Sequence, residues 1–162
     1  MSDDNQSILR RTAIHEAGHV VAAMHFRHLI GDVSIIVDPD LGRLGFSASE
    51  DSHDPDEQVI VLYAGLAAER LIRPETQVEE GSWDDYERAS QVHGLDAPPP
   101  HLEQAAANLV AERRSAIEAL AQALIERQTL KGDEAALVVD CVDEGSDWQQ
   151  SLSELLTFKS GA

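Results

Sequence analysis

The residues best suited to chemistry form the pentapeptide His15-Glu16-Ala17-Gly18-His19, an H-E-x-x-H motif. The flanking residues predict a helix, in which residues four positions apart lie one turn apart on the same face. Two imidazoles at this spacing can reach one metal ion at the zinc–nitrogen distance of about 2.0–2.1 Å. Glu16 follows the first histidine directly, so its carboxylate would lie beside the metal and could take a proton from water there. The motif therefore predicts a zinc site that activates water.

The surroundings of the motif favour a metal site over a chance match. Accidental matches usually lie on solvated helices with charged neighbours, whereas the segment from Thr12 to Met24 is rich in alanine, valine and isoleucine. The two histidines would then be half buried, and buried imidazoles need partners. A metal ion is the partner that this motif predicts.

A catalytic zinc usually has three protein ligands and one open position, so a third ligand must come from elsewhere in the chain. His25 stands where the longer H-E-x-x-H-x-x-G-x-x-H pattern has its third histidine, but that pattern needs a glycine at Ala22. In an unbroken helix His25 would lie about 9 Å along the axis and about 120° around it from His19, so we expect it to point away. The residue pattern leaves six candidates open: Asp84, Asp85, Glu69, His53, His93 and His101.

The elements that must position these residues are predicted to be mainly helices. Apolar periodicity and capping residues predict six helices: Ser7 to Phe26, Asp54 to Ile72, one after Ser82, His101 to Arg127, Lys131 to Val142, and one from Ser146-Asp147-Trp148. Two β-rich segments, Val33 to Val37 and Arg43 to Ala48, predict a hairpin-like ribbon. We expect a mainly α fold, a helical array with a small two- to three-stranded β-ribbon.

The composition sets limits on domain count and partners. A chain of 162 residues predicts a single domain over 1–162, with a frayed start at 1–6 and a proline-rich connection at 94–100. The formal net charge of −18 argues against nucleic acid or an anionic membrane as partner, because both need basic patches. The sequence has no G-x-x-x-x-G-K-[ST] phosphate loop.

The cellular compartment is predicted from the cysteine content and the apolar runs. Cys141 stands alone, so it cannot form a disulfide within the chain, and its spacing predicts a core residue. The first residues lack the basic and apolar regions of a signal peptide, and no apolar run approaches the length of a membrane span. We therefore expect a cytoplasmic protein without a membrane span.

Several segments, in order along the chain, resemble the zinc peptidase domain of the FtsH-like membrane-anchored AAA+ proteases. Residues 63–72 resemble that family's G-G-R-A-A-E-E-L-I segment, and residues 81–90 resemble its G-A-x-x-D-[IL]-x-x-A-T segment. The departures are Ala64 in place of a glycine and Leu66 in place of the arginine. The segments are 13–22 with the motif, Leu44-Gly45-Phe46, 63–72, 81–90 and the region of 116–132.

The resemblance implies a role for each matched residue. His15, His19 and Asp85 would bind zinc, and Glu16 would activate the water. The segment Leu44, Gly45 and Phe46 would pair with an extended substrate. The apolar neighbourhood of Glu69 makes it a candidate carboxylate behind a ligand histidine, with an ordinary pairing to an arginine as the alternative.

The sequence as a whole predicts a zinc metalloendopeptidase that cleaves flexible or unfolded polypeptides. ATP-dependent peptidase activity is a family property implied by the resemblance, and a separate AAA+ ATPase would then be the partner that delivers folded substrates. The alternative is a non-hydrolytic binding or regulatory module that keeps the fold and the metal site. Glu16 favours the enzyme, because a module that only binds has no need of a base.

The charge of the chain gives a first testable prediction. We expect no binding to a random DNA duplex at physiological salt, because an acidic surface releases no counterions from the phosphates. An electrophoretic shift assay measures this, and a complex formed at micromolar protein would contradict the prediction.

Overall fold

The computed structural model of the protein describes residues 3–36, 45–48, 54–74, 81–94, 96–97 and 99–161. In these residues the predicted class is confirmed, since helices dominate and the strands form one small sheet. The elements are α1 (Asp3–His25), β1 (Ile30–Ser34), β2 (Gly45–Ala48), α2 (Pro55–Ile72), α3 (Gly81–His93), α4 (Pro100–Glu112), α5 (Arg114–Arg127), β3 (Thr129–Leu130), α6 (Gly132–Glu144) and α7 (Trp148–Lys159).

Helices α1 and α2 lie against each other at the centre of the described structure. Helix α1 begins at Asp3, earlier than the predicted Ser7, and buries its Ala and Val side chains and that of Ile14 in the main core, while Ile8 is exposed. A Cβ added at Gly18 would lie 2.5 Å from the carbonyl oxygen of Ala64 and 2.9 Å from the Cβ of Ala68. Gly18 therefore lets α1 come into contact with the backbone of α2.

The start of α2 follows the local chemistry of its first residues. The carboxylate of Asp54 accepts a hydrogen bond from the backbone N–H of Asp56 at 2.9 Å, and Pro55 occupies the first turn. The predicted N-cap is confirmed, and the helix ends at Ile72 as predicted.

The predicted long helix from His101 to Arg127 is wrong, because the chain breaks at Arg113, where φ is −101° and ψ is 14°. Helix α4 packs against α2, whereas α5 packs against α1 and α6. The guanidinium of Arg113 pairs with the carboxylate of Asp143 in α6 at 2.8 Å. The buried residues of α4 and α5 continue one apolar stripe, so their periodicity does not reveal the break.

The three strands form an antiparallel sheet in the order β2-β1-β3. Strand β1 begins and ends three residues earlier than predicted, at Ile30 and Ser34. Within the described residues β2 covers Gly45 to Ala48, while the predicted start at Arg43 lies outside them. Strand β3 was not predicted as such, because two residues after a helix carry no periodic signal. Strand β2 lies beside α1 and so places the sheet near the H-E-x-x-H motif.

The C-terminal helices complete the main core. Helix α6 reaches Glu144, slightly beyond the predicted Val142, and the predicted core residue Cys141 is buried. The carboxylate of Asp147 caps α7 by accepting from two backbone N–H groups. The last predicted helix is therefore confirmed.

The contact between α1 and α2 predicts that Gly18→Ala destabilises the fold. Overpacking costs about 1–3 kcal/mol, and a backbone oxygen cannot move aside, so the cost should exceed the roughly 1 kcal/mol that alanine gains in a helix. Urea denaturation of the metal-free protein should show a lower midpoint. The exposed control Gln104→Ala should change the free energy of unfolding by less than about 0.5 kcal/mol. A Gly18→Ala variant as stable as this control would contradict the packing argument.

Candidate metal centre

Three side chains from two helices converge on one point. The Nε2 atoms of His15 and His19, both in α1, lie 2.9 Å apart. The Oδ2 atom of Asp85, in α3, lies 2.9 Å from Nε2 of His15 and 3.2 Å from Nε2 of His19. Among the described residues, these three form the one group of His, Cys, Asp or Glu side chains placed to hold a metal ion.

Helix α2 fixes both imidazoles from behind. The Nδ1–H of His19 donates to the backbone carbonyl of Val61 at 2.8 Å, and the Nδ1–H of His15 donates to Oε1 of Glu69 at 2.6 Å. A carbonyl oxygen only accepts, so the proton of neutral His19 is on Nδ1 and its Nε2 lone pair faces the cluster. This arrangement is typical of metal-binding histidines, whose other ring nitrogen is held by a carboxylate or a carbonyl.

The electrostatics of the cluster are those of a buried acidic site. Burial alone would lower the pKa of His15, but its hydrogen bonds to Asp85 and Glu69 outweigh burial and raise the pKa to about 10. Burial would raise the pKa of Asp85, but the close contacts of its carboxylate with His15 and His19 outweigh burial and lower the pKa below its usual range. Burial raises the pKa of Glu16, which the two imidazoles offset only in part. The cluster thus attracts positive charge, as a proton or as a metal ion.

The geometry fits a tetrahedral metal ion. Ligands at about 2.0–2.1 Å from a tetrahedral zinc lie roughly 3.3 Å from one another, close to the observed separations of 2.9 to 3.2 Å. When both imidazoles are neutral with their protons on Nδ1, their facing Nε2 lone pairs and the carboxylate repel one another unless a cation lies between them. Two nitrogen ligands and one oxygen ligand suit zinc and leave the fourth position open.

Glu16 lies in the same turn of α1 but is not part of the ligand group. Its side chain is only 6% exposed, and its charge interacts with both imidazoles and with Asp85. A buried carboxylate with a raised pKa beside a metal position can accept a proton and release it again.

The structure also places the other predicted candidates. His25, Asp84 and His101 are exposed. The Nε2 atom of His93 lies 3.0 Å from a carboxylate oxygen of Asp56. None of these four candidates belongs to the ligand group. His53 and Leu44 lie outside the described residues. Gly45 and Phe46 lie in β2, where Phe46 pairs with Val33 of β1.

Three contributors to the site were not predicted. The carbonyl of Val61 orients His19 through the backbone, which no side-chain pattern reveals. The Nε atom of Arg11, one helical turn before His15, lies 3.6 Å from Oε2 of Glu69, so the alternative of an arginine pairing for Glu69 is also present, although no pattern singled out Arg11. Gly65 lies directly against the two imidazoles, and its place in the segment resembling G-G-R-A-A-E-E-L-I was the one available signal.

No family profile matches this chain. The chain is similar to two curated proteins named ATP-dependent zinc metalloprotease FtsH 1. The protein from Rhodopirellula baltica is 37% identical over 99 residues, which cover 54% of this chain and 14% of that protein. The protein from Symbiobacterium thermophilum is 30% identical over 172 residues, covering 80% of this chain and 29% of that protein. The chain spans less than a third of either relative, so the similarity supports a distant relation to FtsH proteases.

The helices were also compared with the requirements of a membrane span. In the described part of the chain, no helix combines the length and the apolar character needed to cross a membrane. The expected cytoplasmic location stays a prediction.

The contact between Glu69 and His15 gives a prediction about metal affinity. Loss of a carboxylate behind a ligand histidine typically lowers affinity about 10–100-fold, so Glu69→Ala should weaken zinc binding to that extent. Glu69→Gln should weaken it less, because the amide oxygen can still accept from Nδ1. Competition with a chromophoric chelator measures both affinities.

The matched control is Glu103→Gln, which removes an exposed carboxylate of α4 that pairs with Arg70, the neighbour of Glu69 in α2. It should leave zinc affinity unchanged. Equal affinities for Glu69→Ala and the control would show that Glu69 does not support the ligand.

Proposed function

We propose that this chain is a zinc-dependent metallopeptidase of the FtsH-like type, which hydrolyses peptide bonds in flexible or unfolded polypeptides. The observation that carries the proposal is the convergence of His15, His19 and Asp85 beside a buried glutamate that is not a ligand. The similarity to two zinc metalloproteases supports it.

The proposed ligands are the Nε2 atoms of the two histidines and Oδ2 of Asp85. Zinc bound there would act as a Lewis acid, polarising the scissile carbonyl and lowering the pKa of water. Glu69 and the carbonyl of Val61 keep both rings in the tautomer that presents Nε2.

Glu16 is the proposed general base and acid. Its carboxylate takes one proton from water as the water oxygen bonds to the peptide carbonyl carbon. It then gives that proton to the amide nitrogen as the carbon–nitrogen bond breaks, so that an acid and an amine are formed and the carboxylate is restored. The raised pKa of Glu16 makes it a better proton acceptor than a solvated glutamate.

Strand β2 is the proposed binding edge for substrate. It pairs with β1 along one side and lies at the end of the sheet in the described part of the chain. An extended peptide could add to such an edge through backbone hydrogen bonds, which tolerate many sequences. We propose that Gly45 and Phe46 make these contacts, together with Leu44, which lies outside the described residues.

The relatives carry ATP dependence in their names, and the chain covers only part of each. We propose that polypeptides already lacking stable structure are cleaved directly. An AAA+ ATPase would be the partner that unfolds and delivers other substrates.

Glu16→Gln tests the chemistry. The amide is nearly isosteric but cannot accept a proton near neutral pH, so hydrolysis of a casein-type substrate should fall about 10²–10⁴-fold. Zinc content, measured by atomic emission, should stay near that of the wild type. The exposed control Glu118→Gln should retain full activity.

His15→Ala separates a ligand from a base, since it should lose both zinc and activity. Cleavage by Glu16→Gln at the wild-type rate would refute the role given to Glu16. If the zinc-loaded wild type cleaves no unfolded substrate, the alternative of a non-hydrolytic binding module replaces the enzyme.

A further inference from the structure

Gly65 of α2 faces the metal-binding edges of both imidazoles. A Cβ added there would lie 2.6 Å from Nε2 and 2.7 Å from Cε1 of His19, and 2.9 Å from Cε1 of His15. Real Cβ atoms essentially never come this close to another heavy atom. We infer that Gly65 is a positioning residue of the zinc site, a position that must lack a side chain so that the two ligand rings can converge. This inference rests on the proposed function.

The rings cannot give way while they remain ligands, because α2 also holds their far sides. Val61 and Glu69, which accept from Nδ1 of His19 and His15, lie one turn before and one turn after Gly65. One face of α2 therefore provides a carbonyl, a bare Cα and a carboxylate in successive turns. A methyl group in the middle forces a ring to leave its Nδ1 partner, and its Nε2 atom then leaves the cluster.

Gly18 provides a contrast within the same helix pair. Its added Cβ would meet the carbonyl of Ala64 and the Cβ of Ala68, whereas the three atoms nearest to the Cβ added at Gly65 all belong to the ligand rings. A substitution at Gly18 thus strains the backbone contact whether or not metal is bound. A substitution at Gly65 can be relieved by turning an imidazole, at the expense of metal binding.

The test compares Gly65→Ala with the wild type and Gly18→Ala, measuring zinc affinity by chelator competition and thermal unfolding in the presence of a chelator. Gly65→Ala should lose about 100-fold or more in zinc affinity, because displacing a ligand costs at least as much as the roughly 10–100-fold loss that follows removal of a partner behind a ligand. Its metal-free unfolding midpoint should stay near that of the wild type, because the helix preference of alanine offsets the hydrogen bond that the displaced ring loses. Gly18→Ala should instead lower the metal-free midpoint.

The double variant His19→Ala/Gly65→Ala shows whether the added methyl acts through the ligand ring. Its metal-free midpoint should equal or exceed that of His19→Ala alone, because the two nearest ring atoms are gone and the ring of His15, the third contact at 2.9 Å, can turn into the space that His19 leaves. If Gly65→Ala fails to fold and the double variant fails as well, the position serves backbone packing and the inference is overturned.

Two further outcomes separate this inference from the proposed function. Wild-type protein that binds zinc no more tightly than His15→Ala overturns both. Wild-type protein that binds zinc tightly, with Gly65→Ala binding equally tightly, overturns the role of Gly65 and leaves the metallopeptidase proposal standing.

Discussion

Two imidazoles on one helix turn can share a cation only if something holds both rings with the same nitrogen facing inward. In this protein a second helix does so, through a backbone carbonyl at one ring and a carboxylate at the other. Both contacts require α1 and α2 to come close enough for a backbone oxygen to touch Gly18. The site therefore depends on a packing distance between two helices as much as on the identity of its ligands.

The cluster contains carboxylates whose environments push their pKa values in opposite directions. Asp85 is hydrogen-bonded to both imidazoles, which favours its ionised form. Glu16 is buried with only partial compensation from the two imidazoles, which favours its protonated form. Such a divergence supports the proposed roles, in which Asp85 is the charged partner of the cation and Glu16 carries the proton.

The sequence predicted the helical class, the convergence of His15 and His19 on one point and the N-cap at Asp54, because these depend on neighbours within a few residues. Asp85 could be selected only through resemblance, since periodicity left six candidates open. The break at Arg113 could not be predicted, because the apolar stripe continues through it and the cause is a change of packing partner. The role of Val61 belongs to a backbone carbonyl and has no sequence signal.

Asp85 lies in α3, which packs chiefly on α2. Most of the first half of the chain separates Asp85 from His19 in sequence. An ion bound by both residues would act as a reversible cross-link across this long loop. Cross-links of this kind restrict the unfolded chain more than the folded one, and metal-binding free energy then becomes folding free energy. In the proposed metallopeptidase, the metal would then couple catalytic competence to resistance against unfolding, so that an enzyme acting on unfolded polypeptides would not become its own substrate.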